Sequence, residues 1–332
     1  MSEQHPDYAR IDLHLHLDGS LSLFAVRTLS SMQDIPLPES DEELAAQLCV
    51  NHSCKDLNEY LSCFNLPLKL LQTADSLEFS VRNLLRELAG QGLYYAEIRF
   101  APQLHTRKGL SQQQVIEAAI RGLKDSPIPA GLILCCMRQG DNEKENLETV
   151  SLAAEYLHKG VLALDLAGAE GLFPTEGFHS VFEKARSLQV PFTIHAGEAA
   201  GALSVEAALA FGAVRIGHGI RAKENPETVK KLAKHHIVLE MCPTSNLDTK
   251  ACKNLTDYPL PYYVNQGVPV TLNTDDMTVS STTLRQEYEL MSKTFGLSDD
   301  FLKNLALTSV DAAFCDPSVK EELRRKILAL SS

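Results

Sequence analysis

The sequence predicts an α/β fold, a closed (β/α)8 barrel of the TIM type. Three observations lead there. Short β-rich runs alternate with longer helical stretches, there are eight such runs, and several of them stop at polar residues. In order the runs are Ile11–Leu17, Tyr94–Phe100, Gly131–Met137, Val161–Leu166, Pro191–His195, Arg215–His218, Ile237–Met241 and Pro269–Asn273. Strands that alternate with helices form a parallel sheet covered on both faces. The competing architecture is an open doubly wound sheet, which a glycine-rich dinucleotide fingerprint after the first strand would favour. The sequence there reads His-Leu-Asp-Gly-Ser, so the closed barrel is the expectation.

In the first run Leu13, Leu15 and Leu17 alternate with Asp12, His14, His16 and Asp18. Strand side chains alternate faces, so the leucines pack against helices and the polar set points inward. Barrel interiors are ordinarily filled with aliphatic side chains. Two imidazoles and two carboxylates are costly there unless they are paired or bind a metal.

Between this strand and the next lies a connection far longer than a usual βα loop, at about residues 19–92. It carries helix signals: Ser40 with Glu43, and Asp75 with Glu78, resemble capping boxes. Leu57, Tyr60, Leu61 and Phe64 fall at helical spacing on one face. That stripe either packs against the barrel or forms a hydrophobic lid, because insertions after barrel strands lie on the active-site face. Further on, Ser111 with Gln114 reads as a capping box and Gly160 as a helix stop. After Asp276 the chain becomes largely helical, adding C-terminal helices to the barrel. With no repeat, low-complexity run or linker, residues 1–332 read as a single domain.

The chain holds 43 acidic and 31 basic side chains, a formal charge of −12. Such an acidic surface has no general attraction for phosphate backbones or anionic lipid, which argues against nucleic acid or membrane as partner. The eight cysteines form no Cys-x-x-Cys pair and read as free thiols of a reducing compartment. The N-terminus lacks a signal-peptide pattern, and no window approaches the ~18 apolar residues of a membrane span. The expectation is a soluble, cytoplasmic protein.

The later strand ends carry the chemistry. They read Thr193-Ile194-His195-Ala196-Gly197-Glu198, Ile216-Gly217-His218-Gly219 and Asn273-Thr274-Asp275-Asp276. Polar residues at several strand C-termini are how this fold builds an active site. Imidazole nitrogens and a carboxylate suit zinc with one position left for water, and His14, His16, His195 and Asp275 are the natural ligands. Zinc lowers the pKa of its water from about 15.7 towards ~7. Glu198, His218 and Asp276 are then available to move protons and orient a substrate. Glycines beside Glu198 and His218 allow close approach of backbone to a ligand. The spacing therefore describes a metal hydrolase of unspecified substrate. Of the remaining histidines, His105, His179, His235 and His236 read as surface or packing residues.

Taken in order, HLHLDGS, EIRFAPQLHT, DLAGAE, IHAGEAAG, IGHGI, CPTSN and NTDD resemble the adenosine deaminase family over nearly the whole chain. The resemblance implies one zinc ion held by His14, His16, His195 and Asp275, and a small-molecule purine nucleoside as substrate. It implies that Glu198 protonates the ring nitrogen beside the amino-bearing carbon, while His218 helps generate and orient the attacking hydroxide. His16 would also face the substrate. Asp276 would hydrogen-bond the five-membered ring of the purine, Gly168 would offer its N–H to a ring nitrogen, and Asp18 would bind the ribose 5′-hydroxyl. Asp165 is expected to orient His218. The other zinc nucleobase deaminases use a His-x-Glu and Pro-Cys-x-x-Cys signature, which is absent here. Two positions bear on the details. Met277 stands where family members often have proline after NTDD, which leaves the loop shape open. Relatives acting on free adenine tend to carry glutamate in place of Asp18, so the aspartate favours a nucleoside, with deoxyadenosine and aminodeoxyfutalosine as further substrates to consider. Hydrolysis of an amide or phosphoester, and a purine-binding protein without catalysis, are the other readings. The glutamate after HAG and the full ligand set argue against both.

Overall fold

A computed structural model describes residues 7–50 and 54–330. Residues 1–6, read above for a targeting signal, lie outside them. Eight strands form: β1 (Ile11–His16), β2 (Tyr95–Phe100), β3 (Ala130–Arg138), β4 (Val161–Gly168), β5 (Thr193–Ala196), β6 (Arg215–His218), β7 (Val238–Met241) and β8 (Val270–Leu272). All neighbours pair in parallel, in sequence order, as two four-stranded halves. The halves meet at two seams. Leu164 N–H donates to Pro191 C=O (2.9 Å), and β1 exchanges backbone hydrogen bonds with Asp275, just past β8 (2.7 and 2.8 Å). The barrel is thereby closed. Pro191, expected as the start of β5, has no N–H to give a ladder, and the strand begins at Thr193.

The first strand is less regular than strict alternation implies. Its register against β2 shifts between Asp12 and Leu15, a bulge that leaves the Leu13 carbonyl off the ladder. The Arg99 guanidinium takes that carbonyl at 2.6 Å. Leu13, Leu15 and Leu17 are buried in the main hydrophobic core, as their side of the alternation requires. Asp12 is buried below the histidines, where it accepts from the Thr274 hydroxyl (2.6 Å) and the His14 N–H (3.1 Å). It ties β1 to the end of β8.

Helices Leu23–Gln33, Asp41–Leu48, Leu57–Leu61, Asn65–Leu70 and Ala74–Gly90 fill the connection from β1 to β2. Ser40 caps its helix by accepting the Glu43 N–H. The capping box expected at Asp75 and Glu78 stands instead at Thr73 and Ser76, whose hydroxyls each reach the other's N–H. A β-branched hydroxyl two residues earlier takes the cap, and Glu78 pairs with Arg82 and Arg121. The box at Ser111 and Gln114 forms as expected. At the other end of the chain, helices Leu284–Phe295, Asp299–Ala312 and Pro317–Ala329 follow β8, the second lying across the β8–β1 seam.

Beneath the strand ends the barrel holds a layer of buried charge in place of aliphatic residues. Arg99 bridges Asp165 and Glu240, each at 2.9 Å. Arg215 bridges Glu240 (2.5 Å) and Glu97 (2.8 Å) and lies over the Phe314 ring. Each guanidinium also meets a backbone carbonyl, so these buried ions are both paired and hydrogen-bonded. Among the described residues no helix is long and apolar enough to cross a membrane, and the eight cysteines are free thiols.

Candidate active site

The strand ends bring His14, His16, His195 and Asp275 into one cage. The Nε2 of His195 lies 3.1 Å from that of His14 and 3.2 Å from that of His16. Asp275 Oδ1 is 3.1 Å from His14 Nε2 and 3.3 Å from His16 Nε2. A tetrahedron with edges of this size has its centre about 2 Å from each vertex, the length of a zinc–nitrogen or zinc–oxygen bond. Asp275 Oδ1 is buried without a hydrogen-bond partner, as an atom reserved for a cation would be. The donor set therefore fits a divalent metal. His218 also comes near: with His14, His195 and Asp275 it makes a group whose donor atoms all fall within 4.8 Å of one another. Its Nε2 stands farther off, 4.0 Å from Asp275, which leaves it outside the compact cage.

The imidazoles are aimed by carboxylates behind them. His14 Nδ1 meets Glu240 at 2.7 Å, and His195 Nδ1 meets Asp165 at 2.9 Å. A carboxylate accepts only, so each Nδ1 carries the proton and each Nε2 presents its lone pair inward. Arg99 joins these two carboxylates from below. Burial alone would raise both of their pKa values; His195 and Arg99 outweigh it at Asp165, and Arg215 and Arg99 outweigh it at Glu240. Ser245 donates to the second Asp275 oxygen at 2.6 Å. Gly217 makes the crowding feasible: a Cβ there would stand 2.9 Å from the His14 ring. His218 and Asp275 both adopt left-handed backbone, at φ 60° and 62°. Strained conformations of this kind persist where the surroundings over-determine them.

Above the cage lies a cavity of about 370 Å³, at the small end of the ~300–1,000 Å³ usual for small-molecule sites. His16, Asp18, Gly168, Glu198, His218 and Asp276 line it on the barrel side. Leu57, Tyr60, Leu61 and Phe64 line it from the insertion. Only Leu57–Leu61 is α-helical, and Phe64 follows in a 3-10 turn, yet all four reach the cavity. Tyr60 is more than an apolar cover. Its hydroxyl donates to Asp276 at 3.0 Å and lies 2.9 Å from the Ser280 hydroxyl.

Protonation follows from burial and charge. Burial first, then Asp275 and Glu170, push Glu198 up to about 8, and a hydrogen bond from Thr249 only partly offsets them. Burial and Asp275 likewise hold Asp276 well above the carboxylate range. Burial lowers His218, and it lowers His195 to about 3, so both rings are neutral. His16 goes the other way: burial opposes its charge, but Asp276 and Asp275 prevail and raise it to about 9. Asp275, ionised and 3.3 Å away, calls for positive charge at His16 Nε2, which a divalent cation would supply.

An adenosine deaminase family model matches residues 9–330. The adenosine deaminase of Haemophilus ducreyi is 52% identical over 325 residues, covering 95% of this chain and 94% of that protein. The adenosine deaminase of Enterococcus faecalis is 39% identical, covering 96% and 95%. The chain belongs to the adenosine deaminase family. Solved structures agree on the fold. An adenine deaminase from Arthrobacter aurescens superposes with a TM-score of 0.88 at 26% identity, covering 98% of this chain and 99% of its own. An N6-mAMP deaminase from Arabidopsis gives 0.85 at 28% identity, covering 96% and 97%.

Within this adenosine deaminase barrel, one expected pairing is different. Asp165 orients His195 and not His218, because β4 lies beside β5. His218 Nδ1 instead meets the Asn246 side chain at 3.0 Å. Met277 has a definite consequence: its N–H donates to the Ser20 hydroxyl at 3.1 Å, a bond that proline would lack. Sequence reasoning passed over Arg99, Glu240, Glu170, Ser245 and Asn246. Arg99 and Glu240 carried a signal, since each interrupts a strand whose neighbours are apolar.

Proposed function

We propose that the chain is a zinc-dependent hydrolase that deaminates adenosine and 2′-deoxyadenosine to the corresponding inosines with release of ammonia. The observation that carries this reading is Glu198, a buried carboxyl raised to about 8 beside a cage with the dimensions of a metal site. An amide or phosphoester hydrolase has no need of a proton donor aimed at a substrate ring.

His14, His16, His195 and Asp275 would hold the zinc, which when bound lowers the pKa of a water so that hydroxide is available near neutral pH. Glu198, protonated, gives its proton to the ring nitrogen next to the amino-bearing carbon. That transfer removes negative charge from the ring as the oxygen adds, and so stabilises the tetrahedral arrangement. His218 Nε2, 3.6 Å from Glu198 and 4.0 Å from Asp275, sits between acid and cage and orients the attacking oxygen. Asp276 has a buried Oδ1 without a partner, and in its protonated form donates to the five-membered ring of the purine. Gly168, at φ 106°, brings its backbone to the cavity wall, where its N–H serves a ring nitrogen. Asp18 accepts from the ribose 5′-hydroxyl, and its charge disfavours a 5′-phosphate.

The test is ammonia release from adenosine, 2′-deoxyadenosine, adenine, aminodeoxyfutalosine and AMP, with metal content measured on the same sample. The two nucleosides should give the highest kcat/KM with one zinc per chain. Adenine turned over far faster than adenosine would sink the nucleoside reading.

A further inference from the structure

The turn that carries Glu198 is wrapped around a second carboxylate. Glu170 lies two residues beyond the end of β4 and is buried. Its Oε1 accepts the Gly197 N–H (2.7 Å) and the Ser204 hydroxyl (2.5 Å). Its Oε2 accepts the N–H groups of Glu198 (3.0 Å), Ala199 (2.7 Å) and Ala200 (2.9 Å). Four consecutive backbone N–H groups converge on one side chain only where the chain curls tightly, and Gly197 at φ 72° permits the curl. All five partners are donors, so only an ionised, acceptor-only group suits the position.

The other side of the turn is held as well. Arg138 donates to the His195 carbonyl at 2.6 Å and to the Thr175 hydroxyl at 2.9 Å. Thr175 lies 2.7 Å from Ser204, which closes the circuit back to Glu170. His195 and Glu198, three residues apart, are thus fixed relative to each other by one buried hydrogen-bonded network.

We propose that Glu170 is a positioning residue for the reaction: its carboxylate shapes the 197–200 turn so that the Glu198 side chain faces the substrate cavity. The inference rests on the reading of Glu198 as the proton donor. Glu170 also adds negative charge beside that donor. The titratable and charged groups around Glu198 are Asp275 past β8, Glu170 past β4, Arg138 at the end of β3, His218 at the end of β6 and His14 of β1. Of these, Glu170 acts from behind the turn, away from the cage.

The experiment compares Glu170→Gln, Glu170→Asp and Glu198→Gln with the parent enzyme for kcat, KM, zinc per chain, thermal midpoint and the pH profile of kcat. In Glu170→Gln an amide N–H₂ faces backbone N–H donors, so the turn should shift. Misplacement of a catalytic group by about 1 Å costs roughly a hundredfold in rate. A fall in kcat of about ten- to a hundredfold is therefore expected, with KM for adenosine changed by less than about threefold and zinc content unchanged. The basic limb of the profile should move to lower pH, because losing a negative neighbour lets Glu198 ionise more readily. Glu170→Asp keeps the charge but shortens the reach; kcat should fall while the basic limb stays in place. Wild-type kcat per zinc-loaded molecule in both variants, or a lowered thermal midpoint with kcat and the pH limb unmoved, overturns the proposal. If Glu170→Gln does not fold, Glu170→Asp decides by the same two readouts. Full turnover in Glu198→Gln would remove the donor reading itself. An inactive Glu198→Gln beside fully active Glu170 variants removes the positioning role alone.

Discussion

The cage and its roof are built differently. The cage stands on β1, β5 and the end of β8, its His195 and His14 rings backed by Asp165 and Glu240, which Arg99 joins. The roof is a short helix, Leu57–Leu61, and the turn after it. Its apolar side chains form a small cluster of their own around Cys54, Tyr60 and Val279, apart from the main core. Tyr60 ties the roof to the site through Asp276. Strand ends cross-braced by buried ions suit chemistry that tolerates little displacement, whereas a lightly anchored helix suits binding and release. Changes to the cage should therefore act on metal and kcat, and changes to the roof on KM.

The largest effect is expected for Asp275→Ala. It removes the one anionic donor of the cage and leaves three imidazole nitrogens facing one another. Zinc per chain should fall well below one, and kcat/KM should drop at least about a thousandfold, given the several kcal/mol a metal contributes to such a reaction. Full zinc content with full activity would break the assignment of the cage. Next is Arg99→Lys, which cannot fork between Asp165 and Glu240. Loss of support behind metal ligands costs about 10–100-fold in metal affinity, read here by competition with a chelator. Unchanged affinity would show that the carboxylates hold their histidines unaided. The smallest effect belongs to Tyr60→Phe, which deletes the hydroxyl bonded to Asp276. KM for adenosine should rise about two- to tenfold, the worth of one hydrogen bond, with kcat nearly constant. A matching loss in kcat would draw the roof into the chemistry and erase the contrast.

What the sequence disclosed divides along the same line. All eight strands were legible, because aliphatic runs ending in His195, His218 or Asp275 combine periodicity with a polar stop. The inward set of the first strand was legible too, although the bulge that frees the Leu13 carbonyl for Arg99 was not. A bulge depends on the partner strand, and alternation within one strand carries no trace of it. The same reason hid Glu240 and Glu170. Their roles come from contacts with residues 226 and 27–34 positions away. The stripe Leu57–Phe64 left packing and lid equally open; in the structure all four side chains line the cavity, and Tyr60, Leu57 and Phe64 also pack in a small cluster beside it.

The deaminase activity proposed for this barrel depends on a protonated Glu198 beside the cage. The direct measurement is ammonia release from adenosine by zinc-loaded parent enzyme and Glu198→Gln across pH. Because Glu198 is raised to about 8, its proton-bearing form dominates below that pH and is lost above it. The acid role of Glu198 requires a parent kcat that falls at basic pH as its proton is lost. It also requires a Glu198→Gln enzyme with normal zinc and turnover lower by about 10²–10⁴-fold, the range of general acid catalysis. Near-normal turnover in the zinc-loaded variant, with the basic limb still present, would contradict it.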